Sequence, residues 1–256
     1  MRKYLKSFNY LAAVVSLVIL TSQGAAAFEI GARGYLWFPT LKSNVRDSGN
    51  PLARDFNLKD DLSLGSQSYP SIEIYGGLGK SHLSLMYTQA DYSGSTNLAS
   101  QIVFNGATFN VGTGVDSSFE IKMLDLAYKY DVIDLENILA GFSLSAIGKL
   151  KYIEGDTRIA GGGNDTSKTF KIAVPMVGAA AHIGILANIL EARLELTGVG
   201  YKDDYLYEAL ADLSLTPFPL IDIHAGYKVI GVHVDYDDVY FASDFTGPYL
   251  ALTVGL

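Results

Sequence analysis

A chain of 256 residues that sets 19 Lys and Arg against 27 Asp and Glu, with no cysteine, carries a formal charge of −8. That acidic balance excludes a protein built to track nucleic-acid phosphates, which needs a basic face, and the missing cysteines exclude a disulfide scaffold. Mean hydropathy is +0.20 with 12% aromatics, yet past the N-terminal region no run approaches the roughly 18 apolar residues of a membrane helix. The hydrophobicity is dispersed over short segments, as in a membrane barrel.

The first 27 residues stand apart. Arg2, Lys3 and Lys6 precede an apolar run from Leu11 to Leu20, and Gly24-Ala25-Ala26-Ala27 supplies small residues for cleavage. This layout predicts a secretory signal peptide, with Phe28 opening the mature chain. The apolar run is shorter than the roughly 20 residues of a spanning helix. Without the leader, 16 basic residues face 27 acidic ones and the charge becomes −11.

Alternation with a period of two predicts strands. The first, from Phe28 to Pro39, sets Ile30, Ala32, Leu36 and Phe38 against Glu29, Arg33, Tyr35 and Trp37. A polar connection from Thr40 to Ser68 follows, with a turn signal at Ser48-Gly49-Asn50-Pro51. Tyr69 to Gly77 turns Ile72 and Ile74 away from Glu73 and Tyr75, and Gly76-Gly77-Leu78-Gly79-Lys80 is a tight turn. His82 to Tyr92 carries Leu83, Leu85 and Tyr87 on one face. Within the connection from Ser93 to Ser117, Asn105-Gly106 predicts a hairpin standing beyond the membrane. In the strand from Phe119 to Tyr130 the apolar phase changes near Met123, which predicts a bulge.

Ile138 to Ile153 opposes Ala140, Phe142, Leu144, Ala146 and Leu150 to Ser143, Ser145, Lys149 and Lys151, and a loop is expected from Glu154 to Ser167. In Thr169 to Leu186, Phe170, Ile172, Val174 and Met176 share a phase. After a turn at Ala187-Asn188, Leu190, Ala192, Leu194 and Leu196 alternate with Glu191, Arg193, Glu195 and Thr197. Leu206 to Leu215 and Ile221 to Gly231 repeat the pattern, followed by an acidic loop from His233 to Asp244. The last stretch, Pro248 to Leu256, puts Leu250, Leu252, Val254 and Leu256 on one face.

About ten strands result, of the length a tilted membrane strand needs, joined by connections that alternate long and short. A strand ending with the chain requires a partner for its edge, and the first strand supplies one by closing the sheet. The C-terminal stretch resembles the closing strand of bacterial outer-membrane β-barrels, with Leu256 where a terminal Phe is usual. Tyr75-Gly76-Gly77 and Phe28-Glu29-Ile30-Gly31-Ala32-Arg33-Gly34-Tyr35 resemble small barrels of that kind with a paired glycine after an early strand. The resemblance implies an all-β, closed, antiparallel up-and-down transmembrane barrel over 28–256, and the chain is expected to be monomeric and without cofactor or metal. Its partners would be outer-membrane lipids and the insertion machinery that reads the C-terminal strand. Both chain ends would be periplasmic and the long loops extracellular. Trp37, Tyr69, Tyr92, Tyr130, Tyr152, Tyr207 and Tyr227 fall toward strand ends, as an aromatic girdle would. A soluble lipocalin-like barrel would place the apolar face inward instead.

In the membrane reading the charged face looks into the lumen: Glu29, Arg33, Glu73, Asp125, Lys129, Lys149, Lys151, Lys171, Glu191, Arg193, Glu195, Glu208, Asp212, Asp222, His224 and Lys228. Both signs are present, so these groups can form a salt-bridged plug or line a narrow polar pore. Asp222 and His224 share a face and could hold a water between them. Omptin-type proteases are ten-stranded barrels with an Asp–His pair at the extracellular rim. Here the pair follows the short turn at Thr216 to Leu220, which places it at the opposite end. His233-Val234-Asp235-Tyr236-Asp237-Asp238 and Lys59-Asp60-Asp61 offer oxygen and nitrogen ligands but no full calcium-loop spacing. The expected role is a structural or surface-interaction barrel acting through its extracellular loops, without catalysis. The alternatives are a narrow solute channel and a rim-located hydrolase acting on lipid or peptide.

Overall fold

A computed structural model describes residues 28–47, 55–65, 67–135, 141–186, 189–236 and 239–256. The strands are β1 (Phe28–Trp37), β2 (Thr40–Asp47), β3 (Tyr69–Leu78), β4 (Ser81–Asn97), β5 (Ile102–Phe104), β6 (Ala107–Phe109) and β7 (Gly114–Leu135). They continue with β8 (Phe142–Gly161), β9 (Asn164–Leu186), β10 (Leu190–Tyr201), β11 (Asp204–Phe218), β12 (Ile221–Tyr236) and β13 (Val239–Gly255). All neighbours pair antiparallel, and β1 pairs with β13 to close a ten-stranded barrel. β2 prolongs β1 along β13 in the same register, Trp37↔Tyr249 and then Thr40↔Thr246. Pro39, which has no N–H to give, marks the break between them.

The two ends differ. At the end holding Phe28 and Leu256, β3 turns into β4 at Gly79-Lys80 and β11 into β12 at Pro219-Leu220. At the other end the strands run on. β8 and β9 pair up to Gly161↔Asn164 and turn at Gly162-Gly163, both at positive φ, the twist that suits a two-residue hairpin. β12 and β13 pair up to Tyr236↔Val239. The loops expected over 154–167 and 233–244 are therefore mostly strand. The turn signal at 48–51 lies outside the described residues, as do Ile138, Ala140 and the turn at 187–188.

The faces of the strands exchange character along their length. On β4, β7, β8 and β9 the outward row Leu85–Leu126–Leu150–Pro175 is followed by Tyr87–Leu124–Tyr152–Ala173, and then by Gln89–Lys122–Glu154–Lys171. Inside, the order is reversed. Asp125 pairs with Lys151 below that boundary, whereas Met123 and Ile153, then Tyr92 and Phe119, are buried above it. No bulge lies at Met123, because the β4–β7 register runs unbroken from Asn97↔Gly114 to Ser81↔Tyr130. The side chains keep their phase and the surroundings change. The one β7–β8 irregularity lies at Asp131/Ile133.

The stretch beyond the boundary is a crown with its own apolar core of Trp37, Leu41, Tyr69, Tyr92, Phe119, Ile121, Met123, Ile153, Ile159 and Phe245. Two connections feed it. Residues 55–65, expected as polar loop, bury Phe56, Leu58, Leu62 and Leu64. They lie between β2 and β4: Phe56 exchanges two backbone bonds of 2.9 Å with Val45, and a Cβ at Gly94 would stand 2.5 Å from the Leu62 and Ser63 carbonyls. The β5–β6 hairpin forms at Asn105-Gly106, both at positive φ. It does not stand free. Ile102, Phe104 and Phe109 are buried in the crown, with the Phe104 ring against Phe56.

Trp37, Tyr69 and Tyr92 accordingly belong to this core and not to a girdle, and the Tyr69 and Tyr92 hydroxyls meet in a short hydrogen bond. Tyr130, Tyr207 and Tyr227 do face outward. Burial pushes the Tyr92 hydroxyl above its ordinary pKa.

Candidate functional site in the lumen and the crown

Below the crown the lumen is ionic, and the strands that carry apolar residues outward supply it. The middle layer centres on Glu208 of β11, whose carboxylate lies 2.7 Å from Lys149, 3.1 Å from Lys151 and 3.6 Å from Lys228. Lys151 also donates to both oxygens of Asp125 at 2.6 and 2.8 Å, and Glu195 takes Lys129 at 3.4 Å and Lys149 at 3.6 Å. Lys151 is 1% exposed and Glu208 4%. Charges so far from water persist only when paired across strands.

Nearer the termini a second layer joins β1, β3, β10, β11, β12 and β13. Arg33 pairs with Glu73 at 3.3 Å and donates to Thr253 at 2.6 Å, while the Tyr35 hydroxyl donates to Glu73 at 2.7 Å. Arg193 pairs with Asp212 at 2.7 Å, Tyr249 donates to the same carboxylate at 2.6 Å, and His224 stands 3.6 Å from it. Beneath lies a cavity of about 300 Å³ lined by Glu29, His82, Asp131, His182, Glu191 and Asp222 among others. In it His82 bridges Glu29 and Asp131 at 2.6 and 2.7 Å, and His182 meets Glu191 at 3.0 Å.

The fifteen inward candidates other than Lys171 thus gather into these layers. Lys171 does not belong with them: it is outward, its side chain 58% exposed, and 3.2 Å from Glu154 on the crown's skin. The cause is the reversal at the boundary. Phe170, Ile172 and Val174 share a phase but turn into the crown, which sends Lys171 to water. His82, Asp131 and His182 were not among the sequence candidates, although Glu73 and His82 sit on the lumen faces of one hairpin.

Asp222 and His224 are engaged separately. Asp222 accepts from Thr216 at 2.7 Å, and His224 Nε2 lies 2.8 Å from the Thr253 hydroxyl. Both stand at the end that carries the termini, away from the crown. The Asp61 carboxylate accepts from the Asn57 backbone at 2.7 Å and so closes its own turn. His233 lies between the rings of Tyr205 and Tyr240, and Asp237 and Asp238 lie outside the described residues. Among the described residues no three His, Asp or Glu side chains converge as a metal-ligand set. On the skin, Asp165 is held below its ordinary pKa by its hydrogen bond from Arg158.

A closed ten-stranded antiparallel meander with an apolar belt outside and an ionic lumen is the fold of bacterial outer-membrane β-barrels, and solved structures of that class share the fold. The outer-membrane protease OmpT from Escherichia coli superposes with a TM-score of 0.59 at 9% identity, covering 92% of this chain and 100% of that one. The neisserial surface protein NspA (TM-score 0.33, 13% identity, coverage 90% and 99%) and the attachment invasion locus protein Ail of Yersinia pestis (0.35, 12%, 88% and 97%) match more loosely. No protein-family model matches the chain, and no curated protein matches it in sequence.

Proposed function

We propose that this chain is an integral, non-conducting barrel of the bacterial outer membrane, exported by the leader in residues 1–27. Its crown stands outside the cell as a platform for contact with other molecules, and both termini are periplasmic. The observation that carries this reading is the reversal of polarity along unbroken strands. An outer face apolar as far as Tyr87–Leu124–Tyr152–Ala173 and charged from the next row suits hydrocarbon below and water above. Against the channel, the lumen holds the buried Lys149–Glu208–Lys151 cluster, with the crown core above it. Against the hydrolase, Asp222 and His224 are tied to Thr216 and Thr253 at the end opposite the crown.

The chain has no cysteine, so single cysteines report orientation cleanly. Ser93→Cys on the crown should react with a membrane-impermeant maleimide in intact cells. Lys80→Cys in the β3–β4 turn should react only after the outer membrane is permeabilised. The reverse pattern would overturn the orientation. Discrete conductance steps from the purified protein in a planar bilayer would overturn the closed lumen.

A further inference from the structure

The crown's wall is of uneven height. β8 and β9 rise to Gly162-Gly163, whereas β10 and β11 already turn back at Lys202-Asp203. β9 pairs with β10 only between Val177 and Leu186. From Asn164 to Met176 it has β8 on one side, and no described strand pairs with it on the other.

Two facts show which backbone groups look out from this edge. The β8–β9 ladder passes unbroken through Leu150↔Pro175. Proline has no N–H, so Pro175 occupies a position whose nitrogen faces away from β8. Alternation then turns the N–H and C=O groups of Ala173, Lys171 and Thr169 to the same open side. Independently, the Ser167 carbonyl, in the same odd phase, accepts from the Asn105 side chain at 3.0 Å and not from a strand. The tip of the β5–β6 hairpin thus caps the top of the edge, and no described strand covers the part below it.

The flanking side chains are of two kinds. Phe170, Ile172 and Val174 turn inward and are only partly buried against the crown core, the Phe170 ring 6.1 Å from Phe241. Lys171 turns outward, 58% exposed, with Glu154 at 3.2 Å on the adjacent strand. Thr169 and Lys171 lie at or above the first charged outer row, where unpaired backbone groups meet water, and Ala173 lies in the boundary row just beneath it.

We propose that this edge receives an extended peptide of another protein as an added strand. Thr169, Lys171 and Ala173 supply the main-chain bonds. Alternate apolar side chains of the peptide lie inward beside Phe170, Ile172 and Val174, and acidic ones lie outward beside Lys171. The inference rests on the crown being the interaction platform, and it names the chemistry of the partner.

The probe is the peptide Thr-Val-Glu-Val-Glu-Val-Thr, titrated into the detergent-solubilised protein with backbone amides followed by NMR. Saturable binding is expected, with the Thr169, Lys171 and Ala173 amides becoming protected from exchange. N-methylation of alternate peptide amides should weaken binding about tenfold or more, the effect of losing one or two main-chain bonds. Ala173→Pro should do the same, since it removes an outward donor and leaves the β8 ladder intact, while Ala173→Thr should bind normally. Lys171→Glu should weaken this acidic probe. Absence of saturable binding, or equal binding of an N-methylated peptide pair that blocks each edge in turn, would overturn the proposal, even if Ala173→Pro fails to fold. Concentration-dependent dimerisation that protects the same amides without peptide would overturn it too, by giving the edge to a second copy. The titration is indifferent to orientation in the cell. Failure here with Ser93→Cys labelled in intact cells defeats only the strand addition, and labelling in the reverse sense defeats the platform.

Discussion

The belted half of the barrel and the crown are made from the same strands, yet they solve opposite problems. In the belted half, Leu126 and Leu150 face out while Asp125 and Lys151 face in; one inward row higher Met123 and Ile153 face in, and two outward rows higher Lys122 and Glu154 face out. Belted, the strands put apolar side chains outside, which on the proposed reading meet hydrocarbon, and the inside must be filled by groups that neutralise each other. Crowned, they find water outside, and the inside is an ordinary hydrophobic core. The difference teaches that a strand's alternation fixes only which residues lie together. The solvent on each side decides which set is buried.

The contrast is broken most severely at its centre. Glu208→Ala leaves Lys149, Lys151 and Lys228 without their shared partner in a layer where Lys151 is 1% exposed. A loss of about 4 kcal/mol in reversible urea unfolding is expected, the cost of buried charge left uncompensated. The same site tests cooperativity: Glu208→Ala combined with Lys149→Met should recover part of the loss, since one of the orphaned cations is then gone. The crown responds to a different insult. Phe119 is 1% exposed, stacked on Tyr92 with its ring also near Phe241. Phe119→Ala should cost about 3 kcal/mol and loosen the crown first. Limited proteolysis of the variant should cut within residues 98–113 while the belted strands stay protected.

The belted half was legible because its pattern is pure. In Leu194, Glu195 and Leu196 or Leu250, Ala251 and Leu252, one phase is aliphatic and the other fits a lumen, so strand, face and closure follow from spacing alone. The crown was not legible, for a physical reason. Above the boundary the outward residues include Asp156, Arg158, Thr169 and Ser167, and segments rich in such residues resemble loops when their inward partners, such as Thr157 and Gly155, are small or polar. The phase change at Met123 mimics a bulge, and Lys171 mimics a lumenal residue, because alternation carries no mark of where the surroundings change along a strand. Phe56, Leu58, Leu62 and Leu64 have no strand period at all. Their burial is set by the gap between β2 and β4, which no local pattern encodes. The lumenal charges could be grouped by face in advance, but not matched. Glu208 meets Lys149, 59 positions away, only because the barrel closes and the strands tilt.

The sharpest and gentlest test places one charge on each skin. Leu194 is 56% exposed on the outer face of β10, amid Ala181 and Ala211 on the neighbouring strands. If that face meets hydrocarbon, Leu194→Arg costs about 2–3 kcal/mol when unfolding is measured in phospholipid vesicles, since the guanidinium must thin the bilayer or reach for the interface. Were the face in water, an exposed Leu→Arg would change almost nothing. Ser93 points outward from β4 three rows above the boundary tyrosine Tyr87, exposed in the same way. Ser93→Arg should leave the unfolding midpoint unchanged in the same vesicles. In detergent micelles thin enough to follow the side chain, the cost at Leu194 should shrink and that at Ser93 should stay near zero. Equal costs at the two positions in vesicles would mean that one medium surrounds the whole barrel, and the reversal of the strand faces would then need another cause.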